Sequence, residues 1–196
     1  MNEMKGHLIL LMGPTGSGKG TLVKHVQENF SELKFAVSAT TRKKRPGETN
    51  GVEYYFLTND EFEQKVKNNE FLEWAEFSGN KYGTLKIEIL ERLEDGYVVL
   101  NEIELQGVQQ LLPLVQKANR TLVYVEAGEW KSLRDRALSR APISEEHLAL
   151  RHERYLEEIQ MKPYADVIIH NEHGQLEDSK QQMVEVVQTV FGKINI

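Results

Sequence analysis

Residues 7–21 read His7-Leu8-Ile9-Leu10-Leu11-Met12-Gly13-Pro14-Thr15-Gly16-Ser17-Gly18-Lys19-Gly20-Thr21. The run from His7 to Gly13 is almost wholly apolar and does not alternate with polar residues, the pattern of a strand buried on both faces of a parallel sheet. The segment Gly13–Thr21 carries four glycines, one lysine and a hydroxyl at Thr21. Glycines there permit a tight turn whose backbone N–H groups point inward, at the oxygens of a phosphate. A helix-like segment, Lys19–Asn29, follows. Its N-terminus adds positive dipole character, and Lys19 adds a full charge. The strict phosphate-loop motif has Ser or Thr directly after the lysine. Here Gly20 intervenes, so the hydroxyl is displaced to Thr21. A plain glycine-rich turn is the competing reading, and the correct flanks on both sides count against it.

Outward from this stretch, four more apolar runs recur at Phe35–Ser38, Tyr97–Ile103, Thr121–Ala127 and Asp166–His170. Helix-like segments alternate with them: Thr84–Glu94, stopped by Asp95-Gly96, then Gln106–Lys117 with Pro113 inside, Glu129–Ser139, Glu145–Gln160 and Glu177–Val190. Strands alternating with helices predict an α/β fold around a parallel five-stranded core sheet, layered as a three-layer sandwich. Two regions interrupt the rhythm. Ala39–Tyr82 is rich in turn formers and aromatics and reads as a small inserted subdomain. Glu129–Gln160 is charged and helical and reads as a mobile flap. Neither is expected to bury a core of its own.

Composition narrows the function classes. The chain has 196 residues, 40% hydrophobic and 28% charged, with a formal net charge of −6. That is the profile of one packed domain rather than a disordered segment. The acidic balance argues against a protein that grips long nucleic acid by its backbone. With no cysteine, disulfides, thiolate catalysis and Cys-ligated metal sites are excluded. No apolar run reaches membrane length, so a soluble cytoplasmic protein is expected, with no membrane association.

Further motifs lie between these landmarks. Ser38-Ala39-Thr40-Thr41-Arg42-Lys43-Lys44-Arg45-Pro46-Gly47-Glu48 is followed by Asn50-Gly51-Val52-Glu53-Tyr54-Tyr55-Phe56. Then come Asn69-Glu70-Phe71-Leu72-Glu73-Trp74-Ala75, Gly79-Asn80-Lys81-Tyr82-Gly83-Thr84, Glu104-Leu105-Gln106-Gly107 and the series Arg136, Arg140, Arg151. Together with Gly13–Thr21, these motifs resemble the guanylate kinase family, in order and over almost the whole chain.

The resemblance implies a nucleoside monophosphate kinase fold: core 1–37, 85–128 and 161–196, a GMP-binding subdomain 38–84, and a lid 129–160. It implies transfer of the ATP γ-phosphate to GMP or dGMP, in line and without a covalent intermediate, by domains that close on their substrates. Mg²⁺ would accompany ATP. The sequence assigns that ion no direct protein ligand and offers Thr21 or Glu102, acting through water. Substrates would be small molecules, and the sequence names no protein partner.

By this resemblance Gly13, Pro14, Thr15, Gly16, Ser17, Gly18, Lys19, Gly20 and Thr21 bind ATP, and Asn171 lies near the adenine. Arg42 and Arg45 take the GMP phosphate, with Tyr54 and Tyr82 donating hydroxyl hydrogen bonds. Two guanidiniums suit that multidentate geometry, although a solvated basic loop beside Lys43 and Lys44 would look the same. Glu73 reads guanine, whose adjacent N1–H and N2–H₂ donors match one carboxylate, whereas adenine would leave it unpaired. Ser38 and Thr84 add contacts to the base, and Thr84 is also placed to cap the helix after it. Lys19, Arg42, Arg136, Arg140 and Arg151 are the catalytic set, stabilising charge on the moving phosphoryl group. Arg134 and Arg154 read as an ordinary charged helix face, and Ser144-Glu145-Glu146-His147 as a helix cap.

One departure stands out. The family usually reads Asp-Ile-Asp-x-Gln-Gly after the third strand, and this chain reads Glu102-Ile103-Glu104-Leu105-Gln106-Gly107. Both acids would lie on the GMP side near the metal–phosphate region, on one face of an extended strand, and would act as a matched pair. Two other readings compete with the kinase: a non-catalytic interaction module of the same fold, and a kinase of a non-nucleotide sugar phosphate. Retention of Lys19, Thr21 and the arginines disfavours the first. The set Arg42, Arg45, Tyr54, Glu73 and Tyr82 disfavours the second.

Overall fold

A computed structural model describes residues 4–77, 79–140 and 143–194; the side chains of Phe77 and Arg140 lie outside that description. The chain alternates strands and helices: β1 (His7–Met12), α1 (Lys19–Asn29), β2 (Lys34–Phe35), β3 (Ser38–Thr40), β4 (Tyr55–Phe56), α2 (Asn59–Lys67), β5 (Phe71–Phe77) and β6 (Asn80–Leu85). Then follow α3 (Arg92–Glu94), β7 (Val98–Glu102), α4 (Leu105–Leu111), β8 (Arg120–Glu126), α5 (Trp130–Arg140), α6 (Glu145–Glu158), β9 (Val167–His170) and α7 (Leu176–Ile194). The five apolar runs build the expected parallel sheet, in the order β2-β7-β1-β8-β9. All six residues of β1 are buried, as a strand covered on both faces requires. A second sheet has the order β4-β3-β6-β5.

The chain divides into two compact units. One comprises Met1–Leu8, Glu32–Asn101 and Gln106–Arg120, and the other Ile9–Ser31, Glu102–Leu105 and Thr121–Ile196. In the first, the run Phe35–Ser38 does not form one strand. Lys34 and Phe35 pair with Val99 and Leu100 in the core sheet, whereas Ser38 opens β3 in the second sheet. Val37, at the crossing, donates its backbone N–H to the Glu88 carboxylate at 2.9 Å. That carboxylate is buried, takes the Tyr55 hydroxyl at 2.9 Å, and pairs with Arg92 at 3.0 Å. A side chain 51 residues away in the sequence thus satisfies a backbone donor that neither sheet can reach.

The expected helix Thr84–Glu94 also starts later than its pattern indicates. Thr84 and Leu85 belong to β6, a π-helical turn spans Ile87–Glu91 with Lys86 at its N-cap, and only then does α3 begin. Thr84 therefore caps nothing: cross-strand pairing on both sides of β6 outcompetes local helix propensity. The stop at Asp95-Gly96 is real, with Gly96 at φ 89°. The segment from Ala39 to Tyr82 also departs from expectation in burying a small core. Ala39, Phe62, Phe71 and Leu85 pack together with Tyr55, Leu57 and Val66 around them, and Phe62 stacks on Phe71 at 4.3 Å. Gly83 makes this packing possible, since a Cβ there would come within 2.8 Å of the Glu73 carbonyl, Phe71 and Trp74.

In the second unit, α1 follows its predicted bounds. The Phe30 ring at its end stacks on Phe191 of α7 at 6.1 Å. Helix α6 begins where the cap motif places it: the Ser144 hydroxyl accepts from the His147 N–H at 3.3 Å. The pattern of α6 predicts a helix that runs to Gln160. The helix instead ends at Glu158 and tightens into a 3₁₀ turn, Ile159–Tyr164, with Pro163 inside. Trp130 of α5 stacks on His152 of α6 at 4.9 Å, so the charged excursion has an aromatic tie within it.

Candidate functional site

The strand-to-helix loop has the backbone its glycines allow. Gly13, Gly16 and Gly18 stand at φ 145°, 88° and 96°, where L side chains are strained. Space is as restrictive as torsion: a Cβ on Gly13 would meet the Val125 carbonyl at 2.5 Å, and one on Gly18 would meet the Asn171 amide nitrogen at 2.2 Å. Gly18 is the N-cap of α1 with no side-chain cap, and the first turn holds no acid. The N–H groups of Lys19 and Gly20 are therefore placed to meet an anion, while the Thr21 N–H donates to the Gly18 carbonyl at 3.0 Å.

Asn171, buried at the end of β9, braces the loop. Its amide donates to the Ser17 carbonyl at 2.7 Å, and its Oδ1 accepts from the Ser179 hydroxyl at 3.1 Å. The Lys19 ammonium lies across the loop, donating to the Gly13 carbonyl at 2.6 Å and the Pro14 carbonyl at 3.3 Å. The Thr21 hydroxyl belongs to an exposed residue one turn into α1.

Acids gather around Lys19. Glu102, the last residue of β7, stands 3.9 Å from its ammonium with a side chain 45% exposed. Desolvation pushes the Glu102 carboxyl up, Lys19 opposes the push and Glu104 adds to it. Glu158, at the end of α6, is buried. Burial raises its carboxyl to about 7, with Glu104 adding and Lys19 and Arg154 opposing. Sequence reasoning passed over Glu158; its place among the charges of a helix end gave no sign that it would turn inward.

Glu102 and Glu104 do not share a strand face. The strand ends at Glu102, and Glu104 lies in the turn before α4, where it forms a two-pronged ion pair with Arg154 at 2.9 and 3.4 Å. Arg154, expected to be an ordinary surface charge, thus has a fixed partner. Of the arginines expected in a lid, Arg136 donates to the Asn171 carbonyl at 3.1 Å, and Arg151 is half-buried. Arg140 ends α5, and its side chain lies outside the described residues. Arg134 sits beside Asp135 at 3.4 Å on the surface.

The remaining candidates come together on the second sheet. Ser38 of β3 stands opposite Thr84 of β6, and Thr84 stands opposite Glu73 of β5. Directly opposed residues project to the same side, and Tyr82, two residues from Thr84, joins them. One polar row thus crosses three strands, with Ala39 and Leu85 on the other side filling the small core. Thr84 donates its hydroxyl to Glu73 Oε1 at 2.6 Å, and both residues are buried.

Tyr54 meets Tyr82 edge-on at 6.1 Å. The Arg42 guanidinium lies over the Tyr54 ring at 5.4 Å and the Phe56 ring at 5.6 Å. Arg42 is also gripped by Glu48 at 2.7 and 3.0 Å, while Arg45 extends from an exposed turn. Glu48, Glu88 and Glu158 were not singled out from the sequence. Only Glu48 carried a signal, its place three residues after Arg45 in the turn Arg45-Pro46-Gly47-Glu48.

Comparisons with known proteins identify the family. The model of the guanylate kinase family matches residues 5–190. A guanylate kinase of Nostoc sp. is 41% identical over 171 residues, 87% of this chain and 85% of that one. A guanylate kinase of Rubrobacter xylanophilus is 37% identical over 186 residues, 95% of each chain. The crystal structure of guanylate kinase from Anaplasma phagocytophilum shares the fold with a TM-score of 0.70 at 23% identity, covering 98% of this chain and 88% of that one. No helix among the described residues is long and apolar enough to cross a membrane. With a family match across nearly all its length and relatives above 35% identity that span it, the chain belongs to the guanylate kinase family.

Proposed function

We propose that this chain is an ATP:GMP phosphotransferase that converts GMP or dGMP to the diphosphate by direct in-line transfer, with 38–84 as its acceptor segment and 129–160 as its lid. The observation that carries the reading is the polar row Ser38, Thr84 and Glu73, which presents a carboxylate and two hydroxyls to one base. Glu73 accepts the two adjacent guanine donors; Thr84, by holding Oε1, fixes the carboxylate's orientation before the base arrives. Adenine, with no N1–H and no N2–H₂, would desolvate that carboxylate without supplying either donor. Arg42 and Arg45 clamp the acceptor phosphate beside the Tyr54 and Tyr82 hydroxyls.

The loop Gly13–Thr21 cradles the ATP phosphates with backbone N–H groups, and Asn171 keeps the loop in shape from behind. Lys19 exchanges two carbonyl partners for phosphate oxygens, and Arg136, Arg140 and Arg151 neutralise charge on the moving group. The oxygen donors near the loop suit Mg²⁺, a hard cation: Thr21 is exposed, and the Glu102 carboxylate is accessible beside Lys19. Thr21 or Glu102 would hold the ion through water, and bound there it would neutralise ATP oxygens during transfer. Glu104, turned to Arg154, would act on the acceptor side only through that ion pair.

An ADP-release assay with GMP, dGMP, AMP, UMP and CMP tests the proposal. Turnover confined to GMP and dGMP is expected. Turnover of AMP at a comparable rate would remove Glu73 as the base reader, and no turnover with any acceptor would leave a binding module.

A further inference from the structure

We infer that Glu48 is a positioning residue for the acceptor-phosphate clamp, holding one edge of the Arg42 guanidinium so that its other edge is free to take the phosphate. The inference rests on the acceptor-site reading above. A guanidinium has five N–H donors in a plane. Nη1 spends both of its own, one on Glu48 Oε2 at 3.0 Å and one on the Lys43 carbonyl at 2.8 Å. Nη2 spends one on Glu48 Oε1 at 2.7 Å. What remains, without a partner among the described residues, is Nε–H and the second Nη2–H. Those two are parallel and side by side, the fork that fits two oxygens of one phosphate.

Glu48 fixes more than the edge. Its Oε2 also accepts the Arg45 backbone N–H at 2.7 Å, and the Glu48 N–H donates to the Arg45 carbonyl at 3.2 Å. The turn between them passes through Gly47 at φ 88°. One carboxylate thus ties together the stem of Arg45 and the head of Arg42. The ring faces of Tyr54 and Phe56 set the guanidinium plane.

Two effects oppose each other when a phosphate approaches. A carboxylate nearby repels it, and an arginine already held in its bound rotamer costs less entropy to engage. The Glu48 charge is shared among three hydrogen bonds, two of them from a cation, and its carboxyl is held below the usual range chiefly by the Arg42 hydrogen bond. Repulsion is therefore compensated locally, and preorganisation prevails.

Glu48→Gln and Glu48→Asp test this by equilibrium titration with GMP and with guanosine, which lacks the phosphate, alongside steady-state kinetics. Glu48→Gln places an amide NH₂ against a guanidinium NH₂. It is expected to weaken GMP about tenfold, leave guanosine affinity unchanged, and raise KM for GMP without a matching fall in kcat. Glu48→Asp keeps the charge and should recover part of the GMP loss. Equal or tighter GMP binding by Glu48→Gln would overturn the inference, making the carboxylate a plug that phosphate must displace. A parallel loss of guanosine would overturn it too, as damage to the whole sheet. A wild-type protein that binds neither GMP nor guanosine overturns the acceptor-site reading and this inference with it. A wild type that binds both, beside an unaltered variant, overturns the inference alone.

Discussion

In the loop Gly13–Thr21 the groups offered to an anion are backbone N–H groups within nine consecutive residues, with one lysine added. On the second sheet the polar groups proposed to meet a base are side chains drawn from three strands, with Ser38, Glu73 and Thr84 meeting only through strand register. The first arrangement is local and needs glycine. The second is non-local and needs supports: Thr84 for Glu73, and Glu48 for Arg42. A backbone cradle accepts any nucleotide's phosphates, whereas a side-chain row can discriminate between bases. Generality and specificity thus come from different parts of the chain's chemistry.

The largest effect expected is on the loop side. Lys19→Ala removes the one full charge the loop contributes and should reduce kcat/KM by on the order of 3–6 kcal/mol of transition-state stabilisation. It also frees the Gly13 and Pro14 carbonyls that Lys19 bridges. Unfolding should therefore be followed in parallel, and a small loss of stability beside a large loss of rate is the expected pattern. Near-normal kinetics would show that the backbone alone suffices.

On the acceptor side, Glu73→Gln should weaken GMP by about 1–3 kcal/mol, because one of two acceptors becomes a donor facing a donor. Thr84 sharpens the test. Replacing the carboxylate by an amide weakens the bond that Thr84 donates to Oε1, so Thr84→Val combined with Glu73→Gln should cost less than the sum of the singles, since each removes part of one shared hydrogen bond. Strict additivity would mean that Thr84 contacts the base independently.

A third effect is on stability rather than rate. Burial raises the Glu158 carboxyl from its ordinary 4.5 to about 7, so the folded protein keeps a proton that the unfolded chain releases. Stability is then lost as pH climbs from about 4.5 through 7, and the loss is complete above that range. Glu158→Gln should flatten this slope. It should gain roughly 1–3 kcal/mol on the wild type between pH 5 and pH 8, measured by denaturant unfolding. An unchanged pH slope would mean that Lys19 and Arg154 already hold the carboxylate ionised.

The sequence made the loop and the parallel strands legible because both depend on neighbours in the chain: a glycine's torsion, an apolar run, a lysine at a helix start. The candidate residues on the second sheet were legible only through the family motifs; their mutual placement was not. Thr84 looks like a helix cap from its neighbours and becomes a strand residue because Ser38 and Glu73 pair on either side of it. Phe35–Ser38 looks like one strand and divides because a buried Glu88, far along the chain, takes the Val37 N–H. Supports of this kind are invisible to local pattern, since Glu48, Glu88 and Glu158 each look like surface charge until the fold closes on them.

The smallest expected effect concerns the two glutamates that stand where the family usually has aspartates. Read as a strand pair, they should act as a unit. The structure separates them, with Glu102 at the strand end 3.9 Å from Lys19, and Glu104 past the strand and bonded to Arg154. Shortening Glu102 moves a carboxylate away from the loop lysine and should lower kcat/KM by about 0.5–1 kcal/mol, since positioning near a transferring phosphate is sensitive to displacements of about 1 Å. Shortening Glu104, which is 64% exposed, loosens only a surface ion pair, an effect within about 0.5 kcal/mol. The two acids still feel each other's charge, but through partners of their own. Glu102→Asp combined with Glu104→Asp should therefore cost the sum of the singles to within about 0.5 kcal/mol. A double variant that instead restored full activity would mean that the pair is tuned together, and that Arg154 gives up Glu104 when the nucleotides bind.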